Sequence, residues 1–206
     1  MKKEFNKNIP NYLTISRIIV SIIVIIFLLF PFDMINVSFP KYLINGIVII
    51  DLKLVIAAVF FVLASITDFF DGYLARKHNC VTDLGKVTDA IADKMLVNGL
   101  LIILSGQGYI SPAIPVIIIL RDTAVNTIKM IAGNNGDVVA AIKTGKFKTA
   151  FLMIGLTLKL FYDLPFSLIP IRLSDYLLII AAVLGIVSGA KYYTMAKDYI
   201  IEKWDI

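Results

Sequence analysis

Long apolar runs separated by short polar segments occupy most of the chain, and this pattern predicts helices that cross a membrane. A helix needs about 20 residues to span a hydrocarbon core of ~30 Å at ~1.5 Å per residue. The runs cover about residues 12–30, 47–66, 84–104, 113–131, 150–161 and 175–196. The fifth run is too short by itself, so its helix is expected to begin near Thr144. The pattern therefore predicts six transmembrane helices.

Composition supports a membrane protein and excludes an ordinary soluble domain. Hydrophobic residues make up 59% of the 206 residues, and the mean hydropathy is +0.86. We expect one all-α domain over residues 1–206, built as a polytopic six-helix bundle. The first apolar run is long and lacks a small-residue cleavage pattern, so no cleavable signal peptide is expected. The single cysteine, Cys80, excludes an internal disulfide framework.

The distribution of cations indicates which side of the membrane each polar segment faces. Most Lys and Arg residues fall in the N-terminal segment, between residues 68 and 93, between residues 133 and 148, and in the tail. These segments lie on one side of an even-numbered bundle, and the positive-inside rule makes that side cytoplasmic. The lysines of residues 1–10 alternate with Phe5 and Ile9, which predicts a short amphipathic segment at the interface. We expect a multi-pass plasma-membrane protein that contacts membrane lipids and no nucleic acid.

Four carboxylates stand beside the second and third apolar runs. Asp68 and Asp71 are spaced i and i+3, and Asp89 and Asp93 are spaced i and i+4, so each pair lies on one helix face. Charge at membrane depth is costly and usually functional, and clustered carboxylates repel one another unless cations lie among them. Oxygen ligands suit Mg²⁺ or Mn²⁺. The spacing therefore predicts a divalent metal site; the alternative is four unrelated, solvated acids in a cytoplasmic loop.

The residues between these carboxylates suit a phosphorylated ligand. Gly72 and Gly85 allow a backbone to approach a ligand closely, and the guanidinium of Arg76 matches the geometry of phosphate. His78 has no partner histidine, so it is interpreted as a solvated residue. Carboxylates, a metal, glycines and an arginine together indicate a pyrophosphate.

These residues resemble the complete signature of the CDP-alcohol phosphatidyltransferase family. The signature positions read Asp68-x2-Asp71-Gly72-x2-Ala75-Arg76-x8-Gly85-x3-Asp89-x3-Asp93. The resemblance implies a membrane enzyme whose polar cavity opens to the cytoplasm, and which transfers a phosphatidyl group from CDP-diacylglycerol to an alcohol and releases CMP. It implies two Mg²⁺ or Mn²⁺ ions at Asp68, Asp71 and Asp89, with Asp93 as a further ligand and as the general base. Gly72, Arg76 and Gly85 would hold the CDP portion.

Two further segments resemble the phosphatidylglycerophosphate synthase branch of that family. They are Asn8-Ile9-Pro10-Asn11-Tyr12-Leu13-Thr14, followed by Arg17, and Gly145-Lys146-Phe147-Lys148-Thr149. The resemblance implies that Asn11 and Thr14 contact the CDP group and that the acceptor is glycerol 3-phosphate. The cations that would bind the acceptor phosphate are Arg121, Lys129, Lys146 and Lys148.

Three positions depart from that branch and leave alternatives open. Members usually have proline where this chain has Ala90, glutamate where it has Asp122, and arginine where it has Lys129. Since lysine lacks the bidentate fork of arginine, another phosphorylated or polyol acceptor is an alternative. A divalent-cation transporter would explain the acids without the glycines or Arg76. A non-catalytic relative is a third possibility, although all four aspartates are present.

Other charged residues have two interpretations each. Arg17 lies in the first turns of the first helix, where it either reaches toward the membrane surface or lies near the nucleotide. Arg121 and Asp122 are adjacent, and neighbours on a helix diverge, so each is expected to face a different partner. The lysines near residue 146 fit a topology signal or headgroup contact as well as an anion site.

The last helix carries a stripe of small residues. This stripe predicts a helix face that lets another helix approach closely, either within the bundle or in a homodimer. It consists of Gly185, Ser188 and Gly189. The tail that follows, with Tyr192 and Tyr193 among its aromatics, is expected to lie at the membrane interface.

Overall fold

The computed structural model describes residues 9–44, 46, 48–77, 83–134, 142–168 and 171–201. Within its helices the side chains of residues 9–11, 69–77, 83–87, 89–90, 134, 196 and 198–201 are not described. This part of the chain forms six α-helices: α1 (Ile9–Leu29), α2 (Leu52–Lys77), α3 (Asp83–Gly106), α4 (Ala113–Asn134), α5 (Lys143–Leu160) and α6 (Leu173–Ile201). Each helix overlaps one of the predicted apolar runs, and α5 begins one residue before Thr144. The predicted helical character is confirmed.

A two-stranded hairpin precedes α2, so the prediction of a purely α-helical chain is wrong at this point. Strand β1 (Lys41–Ile44) pairs antiparallel with β2 (Val48–Asp51), and Gly46 between them has a φ of +71°. The start of the second apolar run was expected to be helical. Its β-branched residues instead favour an extended strand. The helix begins only after Asp51, whose carboxylate accepts the N–H of Lys53 at 2.8 Å and so acts as the N-cap.

The helices pack as two groups of three. In one group α1 packs against α2 and α3, and in the other α6 packs against α4 and α5. The groups meet where α2 contacts α5 and α3 contacts α4. The core between them contains large, fully buried side chains, among them Phe61, Leu100, Leu104, Leu156 and Leu178. This packing brings the predicted acidic helices next to α5.

The outer surface of the bundle is strongly apolar. On α1, Val24 and Leu28 keep 2% of their surface exposed, whereas Ile23 and Ile26 keep 56% and 58%. Exposed apolar side chains in such number would be unfavourable in water at ~25 cal/mol per Å², and a bilayer covers them. Within the described residues, Tyr12–Leu29 and Leu173–Met195 are long and apolar enough to span a membrane. The protein is therefore a helical, membrane-associated protein.

The end of the bundle near the hairpin is fixed by buried polar groups. The Tyr162 hydroxyl accepts the Asp51 N–H at 2.9 Å, and burial raises the pKa of this phenol above its usual range. Asp163 is buried and accepts both the N–H and the hydroxyl of Ser174, at 2.6 and 2.7 Å. These bonds tie the connection after α5 to the start of α6, so the two helices keep a defined packing.

Candidate active site

The acidic site lies where α1, α2 and α3 meet, at the end of the bundle away from the hairpin. Arg17, Asp68 and Asp93, one from each helix, line a single small cavity of about 20 Å³. Ala64 and Ala92 form part of its wall, and their small side chains leave space beside the carboxylates. The Asp68 side chain keeps 44% of its surface exposed, and Asp93 is exposed. Two predicted site carboxylates therefore share a cavity that solvent reaches.

Arg17 forms an ion pair with Asp68 across α1 and α2. The arginine keeps only 4% of its surface exposed, and a buried charge is strongly unfavourable without such a partner. Its interpretation as a cation reaching toward the membrane surface is therefore wrong. Thr14, which is also buried, lies three residues earlier on α1, on the same face. Both residues are therefore buried on one face of α1.

Helices α2 and α3 confirm that the four carboxylates lie on helices with the predicted spacing. The connection between the two helices is shorter than predicted. Helix α2 continues through Asp71 to Lys77, whereas the second apolar run was expected to end near residue 66. The physical reason is that residues 73–77 are compatible with a helix and Gly72 costs only about 1 kcal/mol within one. Gly72 and Arg76 therefore lie on α2, and Gly85 lies on α3.

Several predicted site residues have side chains outside the described part of the chain. They are Asn11, Asp71, Gly72, Arg76, Gly85 and Asp89, and Cys80 and His78 lie outside it as well. Among the described side chains, no three acidic, histidine or cysteine groups form a metal site. Asp68 and Asp93 supply only oxygen ligands from two helices, a donor type that fits a hard divalent cation.

A second charged cluster joins α4 and α5. Asp122 accepts one bond from the Arg121 guanidinium at 2.7 Å and another from the Lys148 ammonium at 2.6 Å. Lys148 keeps only 2% of its surface exposed. Because Lys148 is buried on helix α5, its interpretation as a solvated topology signal is wrong. Lys146, in contrast, is exposed. The expectation that Arg121 and Asp122 face different partners is wrong in part, because the long arginine side chain reaches the neighbouring carboxylate and the two residues pair. Each also has a second partner on another helix, Ser188 for Arg121 and Lys148 for Asp122.

One face of α6 completes this cluster. Ser188 accepts a hydrogen bond from Arg121 Nη2 at 2.7 Å, and a side chain on Gly189 would lie 3.3 Å from Arg121 Cγ. The ring of Tyr192, one turn further, lies 5.7 Å from the Arg121 guanidinium carbon and 5.1 Å from Lys129 Nζ. The small-residue stripe therefore operates within the bundle at Gly189. Tyr192 is buried, so its predicted place at the membrane interface is wrong.

Sequence reasoning missed the structural role of Tyr192. The available signal was its spacing, because Tyr192 follows Ser188 by four residues and so shares the face of the small-residue stripe. Treating the aromatics of the tail as one interfacial group hid that spacing.

The acidic cavity and the cation cluster are neighbours. Met153 of α5 lines the acidic cavity. Lys148, one and a half turns earlier on α5, lies within electrostatic reach of Asp93. A ligand with a reacting hydroxyl near Asp93 and an anionic group near Lys148 would therefore contact both sites.

The fold and the two charged sites define a helical membrane protein whose carboxylates adjoin a buried group of cations. The model of the CDP-alcohol phosphatidyltransferase family matches residues 7–187, which include all of α1 to α5 and about the first half of α6. The chain belongs to this family of enzymes.

Curated relatives in bacteria match most of the chain. A CDP-diacylglycerol–glycerol-3-phosphate 3-phosphatidyltransferase of Bacillus subtilis is 38% identical over 188 residues, which are 91% of this chain and 94% of the relative. A protein of the same name from Rickettsia prowazekii is 36% identical over 95% of this chain and 99% of the relative. One from Mycoplasma pneumoniae is 35% identical over 77% of this chain and 70% of the relative. The similarity therefore covers both charged sites.

Proposed function

We propose that this protein transfers the phosphatidyl group of CDP-diacylglycerol to glycerol 3-phosphate, giving phosphatidylglycerophosphate and CMP. The observation that carries the proposal is that α5, which holds the buried Lys148 of the cation cluster, also lines the cavity of Asp68 and Asp93 through Met153. A substrate that carries both a hydroxyl and a phosphate, such as glycerol 3-phosphate, matches this arrangement. The names of the relatives describe the same reaction. Release of CMP with glycerol 3-phosphate but not with glycerol would support it.

The donor side of the site is formed by α1, α2 and α3. Asp68, Asp71 and Asp89 would hold two divalent ions, with Asp93 in reach of them. When bound, these ions neutralise charge on the reacting phosphate and on the CMP leaving group. The CDP group would contact Gly72, Arg76 and Gly85, and also Asn11 and Thr14 of α1. The burial of Thr14 on the helix face that also carries Arg17 supports this assignment.

Asp93 would act as the general base. Its carboxylate takes the proton of the acceptor hydroxyl while that oxygen bonds to the phosphatidyl phosphorus and the bond to CMP breaks. The exposed position of Asp93 at the cavity supports this role, because the acceptor must approach from the aqueous side. The acyl chains of the donor stay in lipid beside the apolar outer surface.

The acceptor phosphate would lie among Arg121, Lys129, Lys146 and Lys148. Asp122 neutralises one of the two positive charges of Arg121 and Lys148, so these three side chains together carry a net charge of +1. Lys129 and Lys146 add their own positive charges to it. Glycerol 3-phosphate carries close to two negative charges at neutral pH, so this surplus matches it.

The start of α5 supplies a further electrostatic argument for that position. Its N-cap residue, Ile142, provides no side-chain hydrogen bond, so the N–H groups of the first turn keep their partial positive charge. A Cβ on Gly145 would lie 3.5 Å from Arg121 Nη2, which places this turn beside the guanidinium. Among the described buried atoms, Arg121 Nε and Thr144 Oγ1 have no hydrogen-bond partner. Helix N-termini of this kind favour phosphate.

Removing acceptor cations should weaken acceptor binding selectively. We expect Arg121→Ala and Lys146→Ala each to raise the KM for glycerol 3-phosphate by at least about tenfold, or ~1.4 kcal/mol, with little change in the KM for CDP-diacylglycerol. Lys129→Arg should strengthen acceptor binding if that side chain reaches the phosphate. Steady-state kinetics with each substrate varied in turn measures both values.

The matched control is Arg172→Ala, which removes an exposed cation at the start of α6, away from the proposed site. It should leave both KM values unchanged. If Arg121→Ala and Lys146→Ala behaved like this control, the cations would serve lipid headgroups or orientation, and the assignment of glycerol 3-phosphate would be withdrawn.

The same proposal includes a topology of six spanning helices in the plasma membrane, with the site facing the cytoplasm. The basic segments support this by the positive-inside rule. We expect a membrane-impermeant maleimide to label Cys80 in inverted vesicles and not in intact cells. As a matched control, Ser38→Cys in a Cys80→Ala background should give the opposite pattern, because residue 38 lies at the hairpin end. Labelling of Cys80 from outside the cell would contradict the orientation.

A further inference from the structure

Tyr192 of α6 lies under two of the cations assigned to the acceptor phosphate. Its ring centre is 5.7 Å from the guanidinium carbon of Arg121 and 5.1 Å from Nζ of Lys129. Both distances are within the ~6 Å range of cation–π attraction, and this attraction is larger where water is excluded. Tyr192 keeps 2% of its surface exposed, so its ring provides such a site.

The same side chain also holds the start of α5. Its hydroxyl accepts the N–H of Ile142 at 3.1 Å, at the N-cap of α5. Its ring packs in a small apolar cluster with Val125 and Ile128 of α4, against which Ile142 also packs. Tyr192 therefore contacts α4 and α5 at the place where the acceptor phosphate would bind.

These contacts address a physical difficulty of the cation cluster. Arg121 and Lys129 carry like charge and both approach the ring of Tyr192, so they repel each other. An aromatic face attracts both cations without neutralising them, whereas a carboxylate in that position would cancel charge that the phosphate needs. Cations held in place before binding lose less conformational entropy when the ligand arrives.

We propose that Tyr192 is a positioning residue for the acceptor: its ring holds Arg121 and Lys129 in place, and its hydroxyl holds the first turn of α5 beside them. The inference rests on the proposed function. It adds a residue on α6, outside the signature segments, that determines affinity for a phosphorylated acceptor.

Three variants of the full-length purified protein separate the two contacts. Tyr192→Leu removes the ring and the hydroxyl, and we expect it to raise the KM for glycerol 3-phosphate about tenfold. Tyr192→Phe keeps the ring, and its KM should rise no more than about threefold. Tyr193→Leu is the matched control, since Tyr193 is the exposed neighbour on α6, and it should leave the KM unchanged. In all three the KM for CDP-diacylglycerol should stay within about twofold of the original.

The order of the effects decides between the outcomes. Parallel changes in both KM values, or an unchanged KM for glycerol 3-phosphate in Tyr192→Leu, would overturn the inference while the proposed function stood. Equal rises in Tyr192→Phe and Tyr192→Leu that are confined to glycerol 3-phosphate would assign the effect to the hydroxyl and overturn the role of the ring. If the leucine variant cannot be isolated, Tyr192→Met replaces it with the same expectation. Failure of the unaltered protein to use glycerol 3-phosphate would remove the proposed function, and the inference with it.

Discussion

Replacement of Asp93 by asparagine is expected to lower turnover by about 100-fold or more, the usual scale for losing a general base. The amide has nearly the same shape as the carboxylate but cannot take the proton of the acceptor hydroxyl. Because Asp93 is exposed at the cavity, the substitution should not disturb the packing of α3. The KM for CDP-diacylglycerol and the affinity for the divalent ion should therefore change little.

Two measurements distinguish this role from a metal-binding one. Single-turnover CMP release reports the chemical step, and titration with Mn²⁺ reports metal affinity. Asp33→Asn, which changes an exposed acid at the hairpin end, is the control and should behave like the unaltered protein. A near-normal rate for Asp93→Asn would remove this residue from the role of base. A large loss of Mn²⁺ affinity would assign Asp93 to the metal site instead.

The second large effect concerns the divalent ion. We expect excess EDTA to abolish CMP release and added Mg²⁺ or Mn²⁺ to restore it, because clustered carboxylates need counter-charge to stay ionised together. Asp68→Asn, Asp71→Asn and Asp89→Asn should each weaken metal affinity. Full turnover in excess EDTA would contradict the metal site altogether.

Arg17 makes one of these variants more informative than the others. Asp68 is paired with the buried Arg17, so Asp68→Asn also removes an ion pair made by a buried cation. Its effect on stability should therefore be measured beside its effect on metal affinity. A variant that lowers metal affinity without lowering the temperature of unfolding separates the two contributions.

The helices could be predicted because long apolar runs identify them with little dependence on tertiary structure. The hairpin before α2 could not, because a short apolar run of β-branched residues fits a buried strand as well as a helix. The pairing of β2 with β1 decides the matter, together with the N-cap at Asp51. The apolar content therefore predicted the position of the run correctly. It predicted the helical conformation correctly only from Leu52 onward.

The candidate site divides in the same way. The spacing of the carboxylates on α2 and α3 follows from helical periodicity, which is a local property. The ion pair of Arg17 with Asp68 joins residues 51 positions apart, and the contact of Arg121 with Ser188 joins residues 67 apart. Such contacts depend on which helix faces pack together. The burial of Tyr192 depends on the same packing, and its spacing from Ser188 was the one signal of it in the sequence.

Conversion of CDP-diacylglycerol by the purified protein is the direct test of the proposed reaction. With glycerol 3-phosphate labelled in its carbon atoms, we expect one CMP released for each label that enters phosphatidylglycerophosphate, and no product with glycerol or without Mg²⁺ or Mn²⁺. CMP release that is independent of glycerol 3-phosphate, or that labels no lipid, would contradict this reaction.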